Sequence, residues 1–250
     1  MSRTTDVTRT AVITGAAQGI GRAYVQRLAA DGYNVVAADV QPADESVALA
    51  TAAGGTAIAL HCDVTSEESV AALHDAVADR FGGVDILVNN AIAYAQGSLE
   101  ELTLDDWRRV QSVGVDGLFL MSRACVPDMR AKSWGRIINI SSNTIGLMLP
   151  GLLPYITAKG GVIGFTRALA SEVGGDGITV NAVAPGLTKT DQTAAVMGPT
   201  GLFEQMAAMQ AIPRTELPED LVGTVSFLAS DDSSFITAQT IVVDGGLVRH

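Results

Sequence analysis

The chain has 250 residues, 48% of them hydrophobic and 17% charged, a balance that excludes a disordered polymer and supplies apolar surface for a buried sheet. Sixteen basic residues against twenty-seven acidic ones leave a formal charge of -11, without a basic face to neutralise a phosphate backbone, which speaks against nucleic acid as a partner. Two cysteines, Cys62 and Cys125, are too few for a disulfide framework and sit in apolar runs, so they are expected as buried free thiols in a reducing compartment. The start MSRTTDVTRT lacks an apolar signal core, and no stretch reaches the ~18 apolar residues of a membrane span. A cytoplasmic protein without membrane contact is the expectation. A single domain over 1–250 is the simplest division, and no residues are assigned to a metal.

Taken in chain order, Thr10–Thr14 is a short buried β run. It leads through a glycine-rich turn into a helical pattern over Gly19–Asp31 that Gly32 closes. Asn34–Asp39 and Thr56–His61 read as the next strands, and Ser66 opens a helix to Phe81 with Glu67 and Glu68 in its first turn. Val84–Val88, Arg136–Ile140, Ile178–Val183 and Thr240–Val243 complete a count of seven strands. One helix is expected to run from Trp107 to Phe119, and Tyr155 stands at the start of another. Strands alternating with helices imply right-handed βαβ crossovers that cover both faces of a predominantly parallel sheet, an α/β, doubly wound architecture. Such sheets bind ligands beyond the carboxyl ends of their strands, so the chemistry is sought just after each strand.

After the first strand come Gly15, Gln18, Gly19, Ile20 and Gly21. Glycines here permit a tight turn, let backbone N–H groups approach a pyrophosphate, and set a helix N-terminus against it. The spacing departs from G-x-G-x-x-G, and a glycine turn alone reads equally as a plain loop. Asp39, at the end of the second strand, is placed to accept hydrogen bonds from both ribose hydroxyls of an adenosine and to repel a 2′-phosphate. Neither Gln18 nor Val40 offers a cation for that phosphate, so the expected cofactor is NAD. The competing reading has Asp39 start a turn before Pro42. Asp63, with Val64 beside it, is placed to meet an adenine amino group, and Asn89 and Asn90 to bridge strand ends before Ala91. Each alone reads as well as a capping or turn residue.

Tyr155 and Lys159 lie four apart on one helical face, so the ammonium can approach the phenol. With four tyrosines in the chain, about 0.05 chance occurrences of this spacing are expected, too few for coincidence. A phenol titrating near 10 must be held toward tyrosinate by about 4 kcal/mol to serve near neutrality, and a neighbouring lysine cation and an oxidised nicotinamide both act in that direction. Ser142, at the end of the fifth strand, can donate to a substrate oxygen as negative charge develops. A serine there is otherwise only a turn.

These motifs, with Asn181 and the run from Pro185-Gly186 to Thr190, resemble the short-chain dehydrogenase/reductase family from the first strand to Gly246. The resemblance implies a single Rossmann domain in which Ser142 polarises a carbonyl, Tyr155 exchanges the proton, and Lys159 binds the nicotinamide ribose while tuning Tyr155. It also implies that Thr188 and Thr190 contact the carboxamide and pyrophosphate. Two positions depart from the family's pattern. Ile92 stands where glycine is usual and is expected to narrow the cleft beside the nicotinamide ribose. Gly114, in Val113-Gly114-Val115, takes the place of an asparagine that holds a relay water and stabilises a helix irregularity. Its backbone carbonyl survives, so altered or reduced activity is expected.

Residues 187–213 correspond to the family's substrate lid. Leu202, Phe203, Met206 and Met209 recur there at helical spacing, a stripe that would face a pocket or equally pack on the body. With Tyr94, Thr144, Leu149 and Leu152 they suggest an apolar pocket for a small hydrophobic alcohol or ketone. The tail from Phe227 resembles dehydrogenases of aryl-alkyl carbinols. A 3-oxoacyl thioester reductase, a sugar or polyol dehydrogenase and a non-catalytic NAD-binding sensor or assembly subunit are the alternatives. The run Val162-Ile163-Gly164-Phe165 suits a helix pairing between subunits, and a homotetramer is expected from the family.

Overall fold

A computed structural model describes residues 8–147 and 149–249. Its seven strands form one sheet, parallel throughout, in the order β3-β2-β1-β4-β5-β6-β7. The strands are β1 (Thr10–Thr14), β2 (Asn34–Asp39), β3 (Thr56–His61), β4 (Ile86–Asn89), β5 (Gly135–Ile140), β6 (Ile178–Pro185) and β7 (Thr240–Val243). Between them run α1 (Gly19–Ala30), α2 (Asp44–Ala52), α3 (Glu67–Phe81), α4 (Leu104–Gln111), α5 (Gly117–Lys132), α6 (Leu153–Val173), α7 (Asp191–Met197), α8 (Leu202–Met209) and α9 (Glu219–Ala229). This is the doubly wound α/β fold expected from the strand pattern. Among the described residues no helix is long and apolar enough to cross a membrane.

The strands read as continuous apolar runs because both faces of the sheet are covered. Along β1, Ala11 and Ile13 pack with Tyr24, Val25 and Leu28 of α1 and Leu221, Val225 and Leu228 of α9. Val12 points the other way, with Val70, Leu73 and Val77 of α3 and Met121, Cys125 and Met129 of α5. Cys62 and Cys125 are buried free thiols as expected.

Most element ends fall within a residue or two of their expected positions. β4 is the main shift: it begins at Ile86 because Val84 and Asp85 act as an anchor. Val84 N–H donates to Asp128 at 2.9 Å, and the Asp85 carboxylate accepts from Thr10 N–H at 2.8 Å and from Lys132 at 2.7 Å. The helix expected from Trp107 to Phe119 carries a π-helical turn over Ser112–Asp116, which joins α4 to α5 where the family resemblance placed a helix irregularity. The Thr103 capping box fixes where α4 starts. Strand order reverses at β1, which lies between β2 and β4, and the ligand crevice of such a sheet opens above the carboxyl ends of those strands.

Candidate active site

The glycine turn occupies that crevice. Gly15 and Gly19 have φ of +64° and +58°, in the left-handed region that favours glycine. A side chain on Gly21 would collide with the Gly15 carbonyl, so the turn and the first turn of α1 are pressed together. Asn90 Nδ2 donates to the carbonyls of Thr14 and Gly15, both at 3.0 Å, while Thr14 Oγ1 accepts from the N–H groups of Asn90 and Ala91 at 3.0 and 3.1 Å. Ser46 and Arg22 hold the carbonyls of Ala16 and Ala17, each at 2.7 Å. With the loop's carbonyls engaged and no side-chain cap from Gln18, the first-turn N–H groups of Gly19, Ile20 and Gly21 are left to serve an anion.

Asp39 does two things at once. Its Oδ2 accepts from Ala17 N–H and its Oδ1 from Gln41 N–H, both at 2.9 Å, so it braces the glycine turn and also starts the turn before Pro42. Arg22, which the sequence reading passed over, also comes close to this loop, and its guanidinium is paired with Glu45 at 2.7 Å. Asp63 holds a turn: Thr65 donates twice to its Oδ1, which keeps its carboxyl below the usual range, while the Cys62 thiol is pushed up to about 11 by burial. Val64 is buried against Gly117 of α5, which leaves only its backbone to the crevice. Asn89 bridges strand ends as expected, its Nδ2 donating to Asn139 at 2.9 Å inside the sheet. Of the two asparagines it is Asn90 that ties the crevice together.

Ser142 stands two residues past the end of β5, and its Oγ accepts from the N–H and hydroxyl of Thr144 at 3.2 and 3.0 Å. Tyr155 lies in the first turn of α6, with the Ser142 hydroxyl near enough to favour its ionised form, and Lys159 lies one turn on. Three ties the sequence reading missed seat this helix: Ser141 Oγ donates to the Lys159 carbonyl at 3.0 Å, Gln111 Nε2 to the Pro154 carbonyl at 2.8 Å, and Asn139 Nδ2 to Thr166 at 2.9 Å. Lys159 is 3% exposed, donates to the Ile140 carbonyl at 2.6 Å, and stands 5.7 Å from the centre of the Tyr155 ring.

The electrostatics differ from the sequence expectation. The phenol end of Tyr155 is buried although the residue keeps some exposure, and this burial raises its pKa against the opposing hydrogen bond from Ser142. Lys159 is itself brought down to about 7 by burial. Burial thus limits how much of the lysine is charged near neutrality, and the charge of an oxidised nicotinamide would act on the phenol in the same lowering direction. A lysine with a depressed folded pKa costs stability below about pH 7 and recovers it as pH rises toward the unfolded value near 10.5. Lys159→Met is expected to raise stability by about 1 kcal/mol at pH 6, after the loss of the Ile140 bond, with the advantage shrinking at pH 9. Urea unfolding at both values checks this, and a pH-independent difference would contradict it.

The helix irregularity forms without the asparagine. Gly114 is buried in the π turn, and a Cβ placed on it would lie 2.7 Å from Ile92 Cδ1 and 3.2 Å from Ala158 Cβ. Ile92 thus turns its tip into the notch that Gly114 leaves, rather than simply narrowing the cleft. Next to the notch is a cavity lined by Thr14, Asn89, Ala91, Gly114, Ile140 and Lys159, with ≈ 10 Å³ open to the centre of a water molecule. It has room for about one water.

β6 ends on Pro185, and Gly186 leads on to Thr188, whose buried hydroxyl donates to Glu216 at 2.6 Å. Thr190 caps α7, and its Cγ2 lies 3.5 Å from where a Gly19 side chain would begin, so this loop and the glycine turn flank one crevice. Both hydroxyls are therefore engaged within the protein. Tyr94 packs edge-on against Tyr155 with ring centres 5.5 Å apart, and Arg109 holds the Tyr94 carbonyl at 3.1 Å. Leu149 and Leu152 are partly buried on the segment between Ser142 and Tyr155, where Gly97 N–H donates to the Gly151 carbonyl at 3.1 Å. The lid stripe divides. Phe203 is buried with the Lys189 ammonium 5.9 Å from its ring centre, Leu202 and Met206 are partly buried, and Met209 is exposed.

Residues 15–248 match the family model described as enoyl-(acyl carrier protein) reductase. The chain belongs to the short-chain dehydrogenase/reductase family. This short-chain dehydrogenase is 39% identical to meso-2,3-butanediol dehydrogenase of Serratia marcescens, over 94% of this chain and 92% of that one. It is 41% identical to cis-4-hydroxycyclohexanecarboxylate dehydrogenase of Sinomonas cyclohexanicum, over 95% and 96%. To a 3-oxoacyl-(acyl-carrier-protein) reductase of Synechocystis sp. the figure is 40%, over 95% and 96%. Among solved structures, a point variant of actinorhodin polyketide ketoreductase with NADPH superposes with a TM-score of 0.92 at 32% identity, covering 97% of this chain and 98% of that one.

Proposed function

We propose that this enzyme interconverts a hydrophobic secondary alcohol, aryl or alicyclic, and its ketone, with NAD as cofactor. The observation that carries the reading is the meeting of Ser142, Tyr155 and Lys159 at the carboxyl end of β5, with the Tyr94 ring as an aromatic wall. A bound nicotinamide would supply hydride acceptance from the carbinol carbon, or hydride donation to the carbonyl carbon in the reverse direction. Tyr155 as tyrosinate removes the hydroxyl proton, and in reduction its phenol gives that proton to the carbonyl oxygen. Ser142 donates a hydrogen bond to the same oxygen where charge develops. Lys159, near half-protonated at neutral pH and anchored by the Ile140 carbonyl, holds the proton that restores Tyr155. The one-water cavity beside Lys159 keeps a route for that proton past Gly114.

Asp39 supports NAD, since a 2′-phosphate would meet its carboxylate, and the nearby Arg22 cation is already taken by Glu45. Asp39→Asn, which keeps one acceptor for the loop, is expected to shift the ratio of kcat/KM for NAD over NADP by about 2 kcal/mol, roughly thirtyfold, toward NADP. An unchanged ratio would contradict the assignment. The reductase relative from Synechocystis keeps a 3-oxoacyl thioester as the second reading, which predicts turnover with NADPH and such a thioester but not with NAD and a carbinol. A sensor would bind dinucleotide without turning over either.

The chain is further proposed to act in the cytoplasm as a homotetramer. Val162 of α6 is buried and Ile163 and Phe165 are partly buried, while Gly164 and, on α5, Phe119 are exposed. Sedimentation analysis reads the assembly, and a monomer would overturn it.

A further inference from the structure

Glu216 lies in the segment between α8 and α9 and is 5% exposed. Its Oε1 accepts from the Thr188 hydroxyl at 2.6 Å and its Oε2 from Gly186 N–H at 3.2 Å, while its carbonyl accepts from Lys189 N–H at 2.8 Å. A β-bridge pairs Thr188 with Glu216, and a Cβ on Gly186 would sit 2.6 Å from Glu216 Oε2. The loop after β6 is thus built around this carboxylate. The charged and titratable groups around it are Tyr24 of α1, Arg214 on its own segment, Asp220 of α9 and Asp244 after β7. The Tyr24 hydroxyl is buried without a partner among the described residues, and Arg214 is paired with Asp220, so no cation neutralises Glu216 directly.

We propose that Glu216 is a positioning residue for the nicotinamide end of the cofactor, acting through Gly186 and Thr188, and that its proton decides what the Thr188 hydroxyl offers the carboxamide. The inference rests on the NAD site proposed above. When ionised, Glu216 accepts the Thr188 hydroxyl and leaves that oxygen's lone pairs to the carboxamide amine. When protonated on Oε1, it donates to Thr188 and frees the threonine proton for the carboxamide oxygen. Burial, opposed by the bonds from Thr188 and Gly186, brings the Glu216 carboxyl up to about 7, so both forms are populated near neutrality. An ionised Glu216 favours the positively charged oxidised nicotinamide over the neutral reduced one, and by linkage binding of the oxidised form expels the Glu216 proton.

Glu216→Gln fixes the donor arrangement at every pH. It should fold, because a carboxyl with a raised folded pKa loses its stabilising contribution as pH climbs from about 4.5 to 7, and the amide does not. The experiment is titration calorimetry of NAD and NADH into parent and Glu216→Gln at pH 6 to 8, in two buffers of different ionisation enthalpy. The parent is expected to release more protons than the variant on binding NAD at pH 7. Its NAD affinity is expected to tighten by about fivefold more than the variant's from pH 6 to 8, with no such difference for NADH. Lys159 contributes to both proteins and cancels. Equal proton release and parallel affinities would overturn the proposal while leaving the NAD site intact, whereas a parent that binds neither NAD nor NADP would overturn the site itself. Should Glu216→Gln not fold, Thr188→Val removes one donor to the carboxylate and is expected to move the parent's transition to higher pH. An unmoved transition would count against Glu216.

Discussion

Tyr155→Phe is expected to lower kcat by about 10³-fold while leaving the fold and dinucleotide binding intact. The ring still packs edge-on with Tyr94, and only the hydroxyl, with its bond to Ser142, is lost. No neighbour can stand in for it. Ser142 has no carboxylate or imidazole hydrogen-bonded to it among the described residues, and Lys159 is held on the Ile140 carbonyl at 2.6 Å. Steady-state rates with NAD and a carbinol, beside near-UV circular dichroism and NADH affinity, separate lost chemistry from lost structure. Retention of more than about a tenth of the parent rate would show that another group carries the proton.

The second large effect concerns Gly114. Gly114→Asn restores the residue usual in the family, yet it is expected to destabilise this protein by about 1–3 kcal/mol and to give no gain in rate, because its side chain must enter space held by Ile92 Cδ1 and Ala158 Cβ. Ile92→Gly alone empties the notch and costs stability as well. The two together are expected to cost less than the sum of the singles, since each removes the cause of the other's strain. Urea unfolding of the four proteins gives the coupling, which should exceed about 0.5 kcal/mol. Additive costs would show that the two departures arose independently of each other's shape. The two unusual residues thus read as one packing solution to keeping the π turn.

What could be read from the sequence was whatever local spacing encodes. Apolar runs such as Ala11–Ile13 and Val35–Ala38 mark strands buried on both faces, and glycines after β1 mark the phosphate turn. Tyr155 and Lys159 declare themselves by sharing a helix face. The rest depended on contacts between residues distant in the chain. The family resemblance pointed to a helix irregularity near Gly114, but the packing of Ile92 Cδ1 into the space beside it joins residues 22 apart in the chain, which spacing does not report. Asn89 and Asn90 are indistinguishable as letters, but one faces Asn139 inside the sheet and the other the Gly15 carbonyl. Glu216 stands in a Thr-Glu-Leu stretch that reads as surface, and it is buried by its bridge to Thr188 and the packing of Gly186 against its carboxylate. The depressed lysine arises likewise from burial, which spacing does not report.

The most direct measurement is the appearance of reduced nicotinamide when the purified enzyme is mixed with NAD and a panel of aryl, alicyclic and aliphatic secondary alcohols, repeated with NADP. Turnover of the aryl or alicyclic carbinols with NAD, at least tenfold faster than with NADP and lost in Tyr155→Phe, is the expected result. Binding of NAD with no reduction from any alcohol, or turnover confined to NADPH and a 3-oxoacyl thioester, would contradict it.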